Sequence, residues 1–247
     1  MPEQKSVALV TGGGTGVGRA TSLLLAQRGF DVVVNYSRSS IEAEQTAEEV
    51  RATGVEAIAI QADVSSREQV ISMAERIKRQ WGGLDVVVNN AATTHFIDLG
   101  NLADVTQEVW DQILDVNLKG AFWVAQQMVP LMKNRSESAI VNVASMAGVT
   151  GAGSCLPYAA SKGALMTMTK SLARGLAPQV RVNAVCPGVI ESRWLQDHPE
   201  MIEGAMKVTP LGRPSSPEDV AKAIVYLACD AEMMTWQMLQ MDGGRTI

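Results

Sequence analysis

Four apolar runs alternate with segments of helical spacing through the first third of the chain, and no other feature limits the fold as much. Ser6–Val10, Asp31–Asn35, Glu56–Gln61 and Leu84–Val88 read as strands. Between them Arg19–Arg28, Ile41–Ala52 and Ser66–Trp81 read as helices that stop at Gly29, Gly54 and Gly82. Near-continuous apolar strands are buried on both faces, so the alternation predicts a parallel sheet with helices on either side, a three-layer α/β/α domain. Right-handed crossovers then bring every strand C-terminus to one edge of the sheet. Thr11–Gly18, Asn35–Arg38, Asp63, Asn89 and Ser145 all fall on that edge. Further strands are predicted at Ala139–Ala144, Val180–Cys186 and Met238–Met241. Further helices are predicted at Asp104–Leu118, Ala121–Met132, Pro157–Leu176 and Pro217–Cys229. No linker, repeat or low-complexity stretch divides residues 1–247, which read as one domain. Within it, residues 189–210 mix Trp194, Met201 and Met206 with charges and prolines, a pattern that suits a flap over a substrate pocket.

Composition excludes several classes. A hydrophobic share of 47% with 19% charged residues supports a large two-sided core rather than disorder. The net charge of −5, without a basic block, argues against nucleic acid or an anionic membrane surface as partner. No apolar run approaches the roughly 18 residues that a membrane span needs. Cys155, Cys186 and Cys229 are too scattered for a disulfide framework, and two distant histidines, His95 and His198, give no metal set. A cytoplasmic, reducing setting is expected.

Three stretches on the predicted edge carry chemistry. Thr11-Gly-Gly-Gly-Thr-Gly-Val-Gly18 lies between a strand and a helix, where glycines let backbone N–H groups approach a phosphate and the helix N-terminus adds positive charge. The end of the second strand reads Asn35-Tyr36-Ser37-Arg38, with no carboxylate for a ribose 2′-hydroxyl; Arg38, with Ser37 and Ser39, suits a 2′-phosphate. NADP(H) is therefore expected, with NAD(H) as the alternative. Tyr158 and Lys162 stand one helical turn apart, and an ammonium beside a phenol lowers the phenol's usual pKa of about 10. Ser145, at the end of an apolar strand, could aim a hydroxyl at the same place. Such a set suits proton transfer to or from a carbonyl or alcohol.

Together, Thr11-Gly-x-x-x-Gly16-x-Gly18, Asp63, Asn89-Asn-Ala, Asn117, Ser145, Tyr158-x-x-x-Lys162 and Pro187-Gly188 resemble the short-chain dehydrogenase/reductase family from Ser6 to Gly244. The resemblance implies a seven-stranded, doubly wound Rossmann-type sheet and a nicotinamide cofactor along the strand ends. It makes Tyr158 the general acid/base and Ser145 the holder of the substrate oxygen. Lys162 would bind the nicotinamide ribose and lower the tyrosine pKa, while Asn117 would position a water linking Lys162 to solvent. The cofactor would lie against Gly12, Thr15, Gly16, Val17, Gly18, Ser37, Arg38, Asp63, Val64, Asn89, Ala91, Tyr158, Lys162, Pro187, Gly188, Ile190 and Ser192. His95, Phe96, Met146, Cys155, Leu156, Val189 and Trp194 are the expected substrate walls. Where the family usually has Gly, Thr and Gly, this chain has Ala92, Ser192 and Trp236. The last puts the C-terminal turn in question. The overall pattern is most similar to 3-oxoacyl-acyl-carrier-protein reductases. Ser136 and Gln179 replace two basic residues expected near their pocket mouth, however, with Arg135 and Arg174 close by. The resemblance also implies a homotetramer or dimer, built partly on the helices around Asn117–Met132 and Tyr158–Leu176. A non-catalytic nucleotide-binding relative would be expected to break the Asn117/Ser145/Tyr158/Lys162 set, which is complete here.

Overall fold

In a computed structural model, which describes residues 5–132, 138–196 and 198–246, seven parallel strands form one sheet. The first half runs β1 (Val7–Val10), α1 (Gly16–Gln27), β2 (Asp31–Tyr36), α2 (Ser40–Arg51), β3 (Ala57–Gln61), α3 (Arg67–Trp81) and β4 (Val86–Asn89). The second half runs α4 (Gln107–Leu114), α5 (Ala121–Met132), β5 (Ser138–Val143), the one-turn α6 (Ala147–Thr150), α7 (Leu156–Leu176), β6 (Val180–Pro187), α8 (Pro199–Val208), α9 (Pro217–Val225) and β7 (Met238–Met241). The strand order is β3-β2-β1-β4-β5-β6-β7. The chain thus leaves β1 in one direction and returns to its other side at β4, opening a crevice at their C-terminal ends.

The pleat explains the two cores. On β1, Ala8 and Val10 join Val32 and Val34 beneath α1, α2 and α9, whereas Val7 and Leu9 join Val33 and Val87 against α3, α5 and the end of α7. All four β1 residues are fully buried, as apolar strands covered on both faces must be.

Two local findings depart from the sequence reading. Asp104–Leu118 is not one helix: a short 3-10 turn at Leu102–Asp104 precedes α4, and a π-helical segment, Asp115–Gly120, joins α4 to α5 without a break. Hydrophobic spacing cannot register one extra residue in a turn. Trp236, in turn, occupies the customary glycine position with φ +59°. The turn persists because the Trp236 amide donates to the Val182 carbonyl at 2.7 Å, while Asn183 accepts from the Gln237 amide at 2.8 Å. The Lys170 ammonium lies 4.4 Å from the Trp236 ring centroid, a cation–π contact that offsets part of the left-handed strain.

Candidate active site

A groove of about 640 Å³ runs along the strand C-termini from the end of β2 to the end of β6. At its centre lies the glycine turn. Gly12 has φ +61°, and a Cβ on Gly18 would lie 2.1 Å from the Gly12 carbonyl oxygen, so a side chain there would push α1 off the turn. Thr15 precedes α1 without capping it through its side chain, and the first turn holds no acidic residue. The leading N–H groups of α1, beside the groove at Gly16 and Val17, are thereby left for an anion. Thr11 Oγ1 accepts from the amides of Asn90 and Ala91 at 2.9 and 3.0 Å, and Asn90 Nδ2 donates to the Thr11 and Gly12 carbonyls at 2.9 and 3.1 Å. The end of β4 therefore braces the turn.

At the β2 end the groove is lined by Tyr36, Ser37, Arg38 and Ser39. Asp31 stands at the opposite end of that strand, where its carboxylate accepts from the Glu56 amide at 2.8 Å and Trp81 Nε1 at 3.1 Å. The Asn35 amide turns inward and donates to the Ala62 carbonyl at 2.9 Å, tying β2 to β3. Asp63 and Val64 form the adjoining wall, the Asp63 carboxylate accepting from the Ser65 amide and hydroxyl at 2.9 and 2.6 Å.

Ser145, Tyr158 and Lys162 meet on the wall below β5. Ser145 follows β5 directly, its neighbours fixed by the Ala144 amide on the Val185 carbonyl (2.8 Å) and the Met146 amide on the Pro187 carbonyl (2.9 Å). Its hydroxyl accepts from the Ala147 amide at 3.1 Å and lies near enough to Tyr158 to pull the phenol's pKa down. Lys162, 2% exposed, donates through Nζ to the Val143 carbonyl at 2.7 Å and sits 5.6 Å from the Tyr158 ring centroid. Burial dominates both titrations. It pushes Tyr158 up to about 12, against the opposing pull of the Ser145 hydroxyl, and pulls Lys162 down to about 8. In the chain by itself the phenol is therefore raised, not lowered. Desolvation of the phenolate is the larger effect.

Asn117 lies in the π segment, buried and off the groove surface. Its Oδ1 accepts from the Thr93 amide at 2.8 Å, and Nδ2 donates to the Thr93 carbonyl at 3.0 Å and Ser161 Oγ at 3.1 Å. One carboxamide therefore clamps the loop after β4 to the helix that carries Tyr158.

Of the remaining expected residues, Gly12, Thr15, Gly16, Val17, Ser37, Arg38, Ala91, Pro187, Gly188, Ile190, Ser192 and Trp194 line the groove. Gly18 and Asn89 do not. Gly18 packs under the turn, and Asn89 donates to Asn142 Oδ1 at 2.9 Å inside the sheet, while Asn90 takes the groove-facing place. Five expected substrate residues are also off the surface. His95 bonds Gln112 at 2.9 Å, Met146 and Cys155 are buried, Leu156 is exposed on the first turn of α7, and Val189 pairs with Ser215. The expected Phe96 and Trp194 form that end together with Thr94 and Gln112. Alternation along the loop after β4, counted back from Phe96, could have exchanged His95 for Thr94. Arg193, at the cofactor rim, had no signal beyond its charge. Ser136 and Arg135 lie outside the described residues, whereas Gln179 and Arg174 are exposed at the end of α7.

The sheet order, the edge groove and the glycine turn at a helix N-terminus define a Rossmann-type α/β protein. Known proteins narrow the class. A family model described as enoyl-(acyl-carrier-protein) reductase matches residues 12–246. A protein described as ketoacyl reductase 2 of the granaticin polyketide synthase of Streptomyces violaceoruber is 40% identical over 96% of this chain and 95% of its own. The 3-oxoacyl-(acyl-carrier-protein) reductase FabG of Staphylococcus aureus is 39% identical over 96% of each chain, and that of Thermotoga maritima 38% over 98% of each. A solved structure described as a short-chain dehydrogenase/reductase, from Burkholderia xenovorans, superposes with a TM-score of 0.93 at 30% identity, covering 98% of both chains. The chain belongs to the short-chain dehydrogenase/reductase family. It is an oxidoreductase that works on carbonyl or alcohol groups with a nicotinamide cofactor. Among the described residues no helix is long and apolar enough to cross a membrane.

Proposed function

We propose that this chain reduces a ketone, of the 3-oxoacyl-thioester kind or a similar carbonyl, with NADPH. The observation that carries the reading is the meeting of Ser145, Tyr158 and Lys162 on one wall of a groove whose other end is lined by Arg38 and no carboxylate from β2. The uncapped N-terminus of α1, the glycine turn and Arg38 fit the phosphates of such a cofactor; Asp63 would meet the adenine, and Gly188, Ile190 and Ser192 the carboxamide. When bound, the nicotinamide supplies the hydride. Ser145 donates a hydrogen bond to the substrate oxygen as negative charge develops there. Tyr158 gives its proton to that oxygen: the phenol O–H bond breaks, the alcohol O–H bond forms, and a phenolate remains. The Lys162 ammonium stabilises that phenolate, and Asn117 keeps the α7 register that sets their geometry. A phenol held up near 12 is protonated at neutral pH, the form that can donate to the substrate oxygen in the reductive direction. Residues 189–210 would cover the substrate end. Two further elements belong to the reading: a homotetrameric assembly, and a cytoplasmic setting in which the free thiols of Cys155, Cys186 and Cys229 stay reduced. A substrate panel of 3-oxoacyl thioesters on carrier protein or coenzyme A, 2-enoyl thioesters, cyclic ketones, sugars and steroids, read by NADPH oxidation, tests it. Turnover of a 3-oxo compound supports the reading, and turnover of enoyl thioesters alone would overturn it.

A further inference from the structure

Arg193 follows β6 in the short turn Arg193–Leu195, yet both of its Nη atoms lie 3.5 Å from Ser39 Oγ, just before α2. A side chain from the C-terminal half of the chain thus crosses the groove to the rim formed by Ser37, Arg38 and Ser39. The base of that turn is fixed. The Glu191 amide donates to the Ser215 carbonyl at 2.9 Å, the Ser215 amide donates to the Val189 carbonyl at 3.0 Å, and Leu195 is buried. The contact with Ser39 is itself loose. Two guanidinium nitrogens at 3.5 Å share one neutral hydroxyl, at the limit of hydrogen-bond distance and poorly matched to a planar fork of donors. A phosphate dianion offers what that fork fits, two oxygens and a charge. Among the described residues, no carboxylate forms an ion pair with Arg38 or Arg193. Arg193 thus reaches Ser39 from the opposite wall, on the rim that Ser37 and Arg38 also line.

We propose that Arg193 is a specificity-determining residue: it grips the 2′-phosphate of NADPH from the wall opposite Arg38. This rests on the NADP(H) reading above and extends it to a residue on the β6 side of the groove. Because NADH carries only a neutral hydroxyl at the same place, the grip discriminates between the two cofactors instead of strengthening both. It also ties the segment beside the substrate end to the correct cofactor, since Trp194, the next residue, lines that end.

Isothermal titration with NADPH, NADH, 2′,5′-ADP and 5′-AMP tests the proposal without turnover. The last two probes differ only in the 2′-phosphate. Arg193→Gln is expected to weaken NADPH and 2′,5′-ADP about 5- to 10-fold and to leave NADH and 5′-AMP within about twofold, with Arg193→Lys intermediate. Retained NADH binding shows that the variant is folded. Equal weakening of all four ligands would mean that Arg193 holds a group common to both cofactors and would overturn the proposal, as would no weakening at all. Arg38→Gln separates the two readings. If the wild type prefers NADPH, Arg38→Gln loses that preference and Arg193→Gln keeps it, the cofactor reading stands and the role of Arg193 falls. If the wild type binds NADH as well as NADPH, both fall.

Discussion

Tyr158 and Lys162 show how burial, rather than proximity, sets protonation in this site. The ammonium is near the phenol, but enclosure penalises both charged forms, so the phenol stays neutral to about 12 and the lysine loses its proton near 8. Tyr158→Phe removes the proton donor and leaves the ring in place; turnover of a good ketone should fall about 10²- to 10⁴-fold with cofactor binding nearly unchanged, measured by stopped-flow and titration. A pH dependence follows with a definite sign. Between about 8, its folded value, and 10.5, its ordinary one, Lys162 is deprotonated in the folded chain and protonated in the unfolded chain. The unfolded chain then binds more protons, so stability rises with pH across that window. Below 8 both states are protonated and the penalty of burying the charge is present in full. Tyr158 acts oppositely from about pH 10 upward, where the unfolded phenol ionises first and stability falls. Urea midpoints at pH values from about 7.5 to 9.5 should therefore climb for the wild type relative to Lys162→Met. Parallel curves would show that Lys162 is not desolvated as the structure has it.

At the scale of elements, the helices show what sequence pattern can and cannot convey. The α9 start was legible, for Ser216-Pro217-Glu218-Asp219 carries the signals of a helix N-terminus, and the structure forms both halves of a capping box. The Asp219 amide donates to Ser216 Oγ at 3.1 Å, and the Ser216 amide donates to Asp219 Oδ2 at 3.0 Å. The Arg213 guanidinium beside Asp219 holds that carboxyl well below the usual range. Ser216→Ala should lower stability by about 1 kcal/mol, a shift of roughly 2–4 °C in thermal midpoint by calorimetry. An unchanged midpoint would mean that packing of Val220 and Ile224 against the core fixes α9 without its cap. The π segment Asp115–Gly120 was not legible. Its residues read as helix, and only the two hydrogen bonds between Asn117 and Thr93 reveal that the extra residue turns a carboxamide toward the loop after β4. Strands were plainer still: β7 has the predicted bounds, and apolar runs marked the others to within two residues.

Over the whole molecule, legibility follows the range of the interaction. The sheet edge could be read because crossover handedness sends every strand end to one side. The occupants of the groove at the substrate end could be read only at Phe96 and Trp194, because side-chain direction in the loop after β4 and the reach of Arg193 across the groove depend on tertiary placement. Exposed apolar surface belongs to this scale too. β7 is an edge strand paired with β6 alone; Leu239 on it is 36% exposed, and nearby Met233 and Trp236 are 98% and 44% exposed. Phe122, on α5, and Leu156, at the start of α7, are also exposed. An open edge with apolar neighbours calls for cover. A tetramer of dihedral symmetry has two kinds of two-fold interface, and the exposed apolar edge at β7 suits one of them. Sedimentation of the wild type should therefore give four chains. Met233→Asp with Leu239→Lys should remove only the β7 contact and leave dimers that still bind NADPH, because the groove opens at the strand C-termini and neither residue lines it. A wild-type monomer, or a double variant that stays tetrameric, would mean that the β7 surface is simply exposed.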